Sequence, residues 1–153
     1  MDPKPGDALR IVRILKISFI VAGLLFFYLA FKIPSKVTVP QKPAVGLVIS
    51  AVALSNIVLG FILPGFKMRA VRRGNSNVRS TATPIQSWMS GCILSLAFFQ
   101  SATLFAFVLH FTNAEAIVVD SLFAAGLLAM LFWSPGTPPT DHGASPTQEF
   151  PSP

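Results

Sequence analysis

The sequence predicts an all-α integral membrane protein, a four-helix bundle of two transmembrane hairpins followed by a disordered, proline-rich C-terminal tail. The first observation is composition: of 153 residues, 52% are hydrophobic and only 12% are charged, whereas about 25% are charged in a typical soluble domain. The second is four long apolar runs, and the third is a final segment, residues 134–153, with six prolines. This composition disfavours both a soluble enzyme domain and a fully disordered chain.

The first predicted span covers about residues 9–33. Its uncharged centre, Ile17–Phe31, has 15 residues, fewer than the roughly 20 that a spanning helix needs. Basic residues at both ends lengthen the span because their aliphatic stems reach outward to the membrane surface; they are Arg13, Lys16 and Lys32. No small-residue cleavage site follows the run, so we expect a retained helix and not a cleaved signal peptide.

Three further spans follow from the apolar pattern. The second covers about residues 44–63 and is expected to end before Pro64, because proline interrupts a helix. The third covers about residues 85–111, inside a stretch without Asp, Glu, Lys or Arg. The fourth covers about residues 116–133 and is followed by a proline and a glycine. Four spans place both ends of the chain on the same side of the membrane.

Charge asymmetry predicts which side that is. Nine of the twelve Lys and Arg residues lie in the N-terminal flank or in a predicted basic loop, residues 67–84. Because cytoplasmic loops are rich in Lys and Arg, we place residues 1–8, the basic loop and the tail in the cytoplasm, with Trp88 and Trp133 near that interface. We expect the basic loop to contact membrane lipids or a partner, and not nucleic acid, through Lys67, Arg69, Arg72, Arg73 and Arg79.

Two carboxamides lie near the middle of predicted spans, Asn56 in the second and Gln100 in the third. Neither side chain titrates, so neither relays a proton as a carboxylate does. An amide in hydrocarbon requires a hydrogen-bonding partner, which favours an interhelical bond. Contact with a bound ligand or pigment is the alternative interpretation.

Small residues recur at four-residue spacing, which lets helix backbones approach closely. Such rows occur in the second, third and fourth spans. We predict helix packing through the rows of the third and fourth spans, which are Gly91 and Ser95, and Ser121, Ala125 and Ala129. The row in the second span is Gly46 and Ser50.

Titratable residues at the non-cytoplasmic side are His110, Glu115 and Asp120. We expect the carboxylates to form salt bridges or to sit at the interface, because three lysines lie on that side. His110 is a weak candidate ligand for a metal or pigment, since no second histidine is near it. We predict no metal site, no catalytic residues and no cofactor, and leave a bound lipid or pigment open. The single Cys92 excludes an intramolecular disulfide.

In length, span count and proline-rich tail, the chain resembles a loose group of small, uncharacterised four-helix bacterial membrane proteins, which implies a bacterial cytoplasmic membrane. The predicted second hairpin, with residues 97–103 and 126–135, is also similar to the proteolipid subunit of rotary ATP synthases. In that family a mid-helix carboxylate carries the ion. Gln100 stands where the acid is needed, so the resemblance does not carry over an ion site.

These observations favour a non-catalytic accessory subunit of a larger membrane complex, bioenergetic or transport, that packs through its transmembrane helices. The absence of a titratable residue at mid-span, the small-residue rows and the tail all point this way. The alternative is a transporter or channel component in which an oligomer lines a pathway with Asn56 and Gln100. A membrane enzyme is a third hypothesis, with His110 and its acidic neighbours as the candidates.

Overall fold

The computed structural model describes residues 4–33, 43–72, 83–112 and 115–139, with the backbone alone for residues 43 and 63–72. These residues form four α-helices and no strand, which confirms the all-helical prediction. The helices are α1 (Pro5–Lys32), α2 (Pro43–Arg72), α3 (Pro84–His110) and α4 (Ala116–Phe132).

Three of the described helical segments are long and apolar enough to cross a membrane: α1, residues Ala44–Ile62 of α2, and α3. The fourth, α4, is apolar but has only 17 residues. At 1.5 Å per residue it is about 25 Å long, somewhat less than the roughly 30 Å of a hydrocarbon core. The prediction of an integral membrane protein is therefore supported by three helices, and the fourth is a shorter apolar helix.

Helix boundaries follow local chemistry at the start of α1, α2 and α3, each of which begins with proline. Proline is favoured there because the first helical N–H has no partner to lose. Thr83 precedes α3 and forms a reciprocal cap, in which Gln86 N donates to Thr83 Oγ1 and Thr83 N donates to Gln86 Oε1, both at 3.4 Å. This capping box satisfies two backbone donors that the helix leaves free.

Helix α2 does not end before Pro64 but continues to Arg72. The predicted boundary at Leu63 is therefore nine residues short, and residues 67–72 of the predicted basic loop are helical. Membrane helices tolerate an internal proline because only one backbone hydrogen bond is lost, and neighbouring groups can satisfy the freed carbonyl. Arg73 and Arg79, from the same predicted surface, lie outside the described residues.

Helix α3 is the centre of the bundle and contacts each of the other three helices. Helix α4 also contacts α1 and α2. In the described residues, however, no Cα atom of α1 lies within 8 Å of a Cα atom of α2. The predicted first hairpin is therefore not a packed pair. Helices α1 and α2 lie on separate flanks of α3 and α4, and each packs against those two helices.

Helix directions alternate along the chain. His110, at the end of α3, lies 2.9 Å through Nε2 from the carbonyl oxygen of Ile33, directly after α1. Lys16, in the first half of α1, instead reaches the carbonyl oxygen of Leu131 near the end of α4. Asn56 of α2 meets Ser101 of α3, and Gly60, further along α2, meets Phe99, which comes earlier in α3, so α2 runs antiparallel to α3. The ends of α2 and α4 therefore share one end of the bundle with the starts of α1 and α3, which we call the basic end.

Large apolar side chains cover the outer surface between the two ends. Among the described side chains, nine are exposed on α1, nine on α2, three on α3 and four on α4. Exposed Ser18 and Ser55 within this belt donate to the carbonyl oxygens four residues earlier, Ile14 O and Ala51 O. A soluble monomer rarely exposes so large an apolar surface, so this belt suits contact with lipid.

Both tryptophans lie near the basic end, but they are buried in the protein instead of lying in the lipid interface. Trp88 is 4% exposed and Trp133 is 5% exposed. Trp88 Nε1 donates to Pro135 O at 3.1 Å, which satisfies the indole within the bundle. The beginning of the predicted tail is thus held against α3, and Gly136 turns the chain there with a φ of +68°. Residues 140–153 of the tail lie outside the described residues.

Candidate functional site

The central turns of α3, residues 99–103, face a glycine from each of the other three helices. These glycines are Gly23 on α1, Gly60 on α2 and Gly126 on α4. A Cβ atom on Gly60 would lie 2.5 Å from Cε1 of Phe99. The missing side chain therefore allows the aromatic ring of α3 to lie directly on the backbone of α2.

Contacts of the other two glycines show the same close approach. A Cβ atom on Gly126 would lie 2.7 Å from Thr103 Cγ2 and 3.3 Å from the backbone oxygen of Phe99. A Cβ atom on Gly23 would lie 2.8 Å from Leu127 Cδ2. The α3–α4 contact leaves the least room, because backbone atoms cannot turn aside as a side chain can. We call these three glycines, with residues 99–103, the bundle centre.

Polar side chains at the bundle centre are bonded mostly within α3. Ser101 Oγ donates to Phe98 O at 2.7 Å, and Thr103 Oγ1 donates to Gln100 O at 2.9 Å. Asn56 Nδ2 donates across to Ser101 Oγ at 2.8 Å. The structure thus places Asn56 at the contact between α2 and α3, with one interhelical hydrogen bond.

Gln100 has a different environment. Its Oε1 atom is buried without a hydrogen-bond partner, and its side chain makes no hydrogen bond among the described residues. It lies beside α1, where a Cβ atom on Gly23 would be 3.7 Å from Oε1. The two predicted carboxamides therefore lie at the same level of the bundle, because Gln100 of α3 is followed by Ser101, the residue that Asn56 of α2 contacts, but only Asn56 has a partner.

The predicted small-residue rows are used unequally. In α3, Gly91 and Ser95 are both buried, and Ser95 Oγ donates to Gly91 O at 3.0 Å. In α4, Ser121 is exposed, Ala125 is half-buried and Ala129 is buried. A four-residue row drifts around a helix, so the α4 row passes from the lipid side to the core. The glycines of the bundle centre do not belong to these rows; a glycine near mid-span among large apolar residues was the signal for them.

Lys16 has a role that the sequence analysis missed. Its Nζ donates to Leu131 O at 3.0 Å and to Trp133 O at 2.7 Å. Carbonyl groups at the end of a helix lack partners and carry the negative end of the helix dipole. Lys16 therefore caps α4 instead of only reaching outward to lipid headgroups, and it ties α4 to α1 at the depth where this short helix ends.

Residues at the opposite end do not form a ligand cluster. His110 is bonded to Ile33 O, while Glu115 and Asp120 are exposed. Lys32 Nζ lies 5.8 Å from the centroid of the Tyr28 ring. Among the described residues, no group of three or more His, Cys, Asp or Glu side chains is placed to hold a metal ion. Lys36 and Lys42, the other predicted salt-bridge partners, lie outside those residues.

No protein-family model, curated protein or solved structure matches this chain. The resemblances drawn from the sequence therefore stay predictions.

Proposed function

We propose that this chain is a non-catalytic accessory subunit of a larger membrane complex, bioenergetic or transport, and that it packs through its transmembrane helices. One observation carries the proposal: the helices are buried very unequally. We compare an apolar stretch of 18 residues in each of the three long helices. In α3, 44% of these residues are buried, against 11% in α1 and 11% in α2. Two long helices thus leave most of their surface for contact with lipid or with another protein.

The bundle centre supports a packing role. The hydroxyls of Ser101 and Thr103 donate to the backbone of their own helix, and Asn56 of α2 donates to Ser101 across the helix contact. Amides and hydroxyls of this kind stabilise helix association in membranes but do not ionise near neutral pH. The arrangement therefore suits a rigid central contact that holds two lateral helices in place for a partner.

Our proposal places the chain in a bacterial cytoplasmic membrane with both termini in the cytoplasm. Arg10 and Arg13 are exposed at the basic end. The backbone of α2 brings residues 67–72, with three more basic residues, to the same end. Concentration of positive charge at one end is typical of the cytoplasmic side and favours contact with anionic lipid headgroups. Labelling of a cysteine introduced at Asn75 from the outside of intact cells would contradict this orientation.

Native mass spectrometry after extraction in a mild detergent tests the accessory role. We expect the chain to leave the membrane in a complex of defined mass that contains at least one other protein. A matched sample, extracted in a harsh detergent that dissociates membrane complexes, serves as the control for nonspecific co-purification. A chain that is monomeric in both samples contradicts the proposal.

A transporter or channel component is the second candidate, and the position of Gln100 favours it. Gln100 is only half-buried, so an oligomer could bring several of these amides around a common pathway. Solute or ion flux through vesicles that contain the purified chain measures this directly. Flux that disappears in Asn56→Leu or Gln100→Leu but persists in Ser55→Leu favours the pathway over the accessory role.

A further inference from the structure

A groove runs along α3 between α1 and α2. Because α1 and α2 both contact α3 but not each other, one side of α3 stays open between them. The exposed residues of α3 recur every three or four positions and therefore lie on this one side; they are Ser90, Ile93, Ala97, Leu104 and Val108. We call this open side of α3, with the flanks of α1 and α2 beside it, the α1–α2 groove.

The two carboxamides mark the walls of the groove at mid-depth. Gln100 lies against Gly23 of α1, and the next residue, Ser101, is bonded to Asn56 of α2. Ala97 and Leu104, one turn to either side, are exposed between these contacts. Gln100, Ser101 and Asn56 are each half-buried, so the middle of an otherwise apolar groove is polar.

These amides still have hydrogen-bonding capacity to offer. Gln100 Oε1 is buried inside the bundle, but Gln100 Nε2 donates no hydrogen bond among the described residues and Asn56 Oδ1 accepts none there. Neither of these two atoms is among the buried polar atoms without a partner, so a helix in the groove can reach both. The exposed serines of the lipid belt behave differently, because Ser18 and Ser55 bond to their own helix backbone. Lipid chains supply no donor or acceptor, and an unsatisfied polar group in hydrocarbon costs free energy.

We propose that the α1–α2 groove binds one transmembrane helix of another protein, and that this helix carries an amide or hydroxyl side chain at the depth of Gln100 and Asn56. This inference rests on the accessory role proposed above and names the face that meets the partner. The partner's polar side chain accepts a hydrogen bond from Gln100 Nε2 or donates one to Asn56 Oδ1, and its apolar residues cover the leucine, isoleucine and valine side chains along α3.

The length of the groove matches a membrane-spanning helix. From Ser90 to Val108, α3 rises about 27 Å at 1.5 Å per residue, close to the roughly 30 Å of a hydrocarbon core. Ala97 provides a small residue beside Gln100, where a second backbone can approach closely. A second copy of this chain fits less well, because its own amides lie inside its own groove and two grooves facing one another leave a gap.

A synthetic transmembrane peptide tests the proposal without knowledge of the natural partner. The probe is a leucine-rich helix with one central Asn, and its control is the same peptide with Leu in that position. Binding to the purified full-length chain is measured by energy transfer in phosphatidylcholine vesicles. We expect the Asn peptide to bind about threefold to tenfold more tightly than the Leu peptide, since one membrane hydrogen bond accounts for a preference of this size.

Variants locate the binding. Gln100→Leu should reduce the preference for the Asn peptide, and Gln100→Leu combined with Asn56→Leu should abolish it. Ser55→Leu, on the outer face of α2, should leave it unchanged. In a Cys92→Ser background, a cysteine near the centre of the Asn peptide should crosslink to Leu104→Cys but not to Leu128→Cys on α4. The crosslink keeps the test decisive if the double variant fails to fold.

Three results overturn the groove proposal: equal binding of the two peptides, a preference that survives the double variant, or crosslinking to α4 instead of α3. Self-association of the chain that depends on Gln100 also overturns it, because the occupant is then a second copy. If the Asn peptide shows no preferential binding while native mass spectrometry still shows a complex, only the groove proposal is refuted. If the Asn peptide binds preferentially through Gln100 and Asn56 while the native chain is monomeric, the accessory role is refuted. The groove is then still a helix-binding site.

Discussion

Helices α2 and α3 are both long and apolar, but they occupy opposite positions in the protein. In an apolar 18-residue stretch of α3, 44% of the residues are buried, against 11% in the corresponding stretch of α2. The difference lies in a few residues: α3 meets a glycine from each neighbouring helix and carries the buried hydroxyls of Ser95 and Thr103 on its packed side. In this protein, hydrophobicity puts a helix into the membrane, while small and polar residues decide which helix becomes the centre.

Adding a methyl group where α4 meets α3 should have the largest effect. Gly126→Ala brings a Cβ atom within 3.3 Å of two backbone atoms of α3, so the helices must separate. We expect the free energy of unfolding to fall by about 1–3 kcal/mol, as is usual for overpacking. Unfolding of the purified chain in mixed micelles of a mild detergent and dodecyl sulfate measures the change.

Gly46→Ala is the matched control for that experiment, because a Cβ atom at Gly46 meets nothing within 4 Å. Alanine favours a helix over glycine by up to about 1 kcal/mol, so this control should be neutral or stabilising. Equal destabilisation by both substitutions would show that α3 is not the packed centre.

Removing the cap on α4 should have the next largest effect. Lys16→Met keeps the length of the side chain but loses both hydrogen bonds to Leu131 O and Trp133 O. We expect a loss of about 1–2 kcal/mol, because the last carbonyls of α4 lose their cation. Arg13→Met, at an exposed position, should change stability by less than about 0.5 kcal/mol. An equal response of the two variants in the same unfolding assay contradicts the cap.

Trp88→Phe tests the contact that holds the segment after α4. The substitution keeps an aromatic side chain in the core but removes the donor to Pro135 O. We expect a loss of about 1 kcal/mol and faster proteolytic cleavage after residue 133. Cleavage at the wild-type rate would mean that this hydrogen bond does not hold the segment against α3.

The smallest expected effect is that of Asn56→Leu. One interhelical hydrogen bond in a membrane contributes about 0.6 kcal/mol on average, so the folded bundle should survive the substitution with a loss of that order. Ser55→Leu, whose wild-type hydroxyl bonds only to Ala51 O, should be neutral in the same assay. A loss well above 2 kcal/mol for Asn56→Leu would mean that the amide supports more of the core than its one bond to Ser101.

Sequence composition was sufficient to predict the helical class, and three of the four predicted spans are long, apolar helices in the structure. It was also sufficient to single out Asn56 and Gln100, because carboxamides are conspicuous in apolar runs. It did not show which side of each helix is packed. These helices are apolar all round, and the amphipathic stripe that marks the buried face of a soluble helix is missing.

Three further features depend on contacts between distant parts of the chain. Helices α1 and α2 are separated because both pack against α3. Chain order alone had instead suggested that they form a hairpin. The cap by Lys16 requires the end of α4 to stop beside α1, which the 17-residue length of α4 brings about. Continuation of α2 beyond Pro64 shows that the proline rule for soluble helices is weaker in a membrane helix.

Crosslinking of paired cysteines by a short bifunctional thiol reagent, in a Cys92→Ser background, tests the central position of α3 most directly. One pair joins α1 to α3 at Phe26 and Phe107, whose ring centroids are 5.4 Å apart. The other pair would join α1 to α2 at Ala22 and Leu59, which the contacts to α3 place near the same depth. The structure predicts a rapid crosslink for the first cysteine pair and none within one molecule for the second. An efficient intramolecular crosslink between α1 and α2 would contradict it, because the groove along α3 would then be closed.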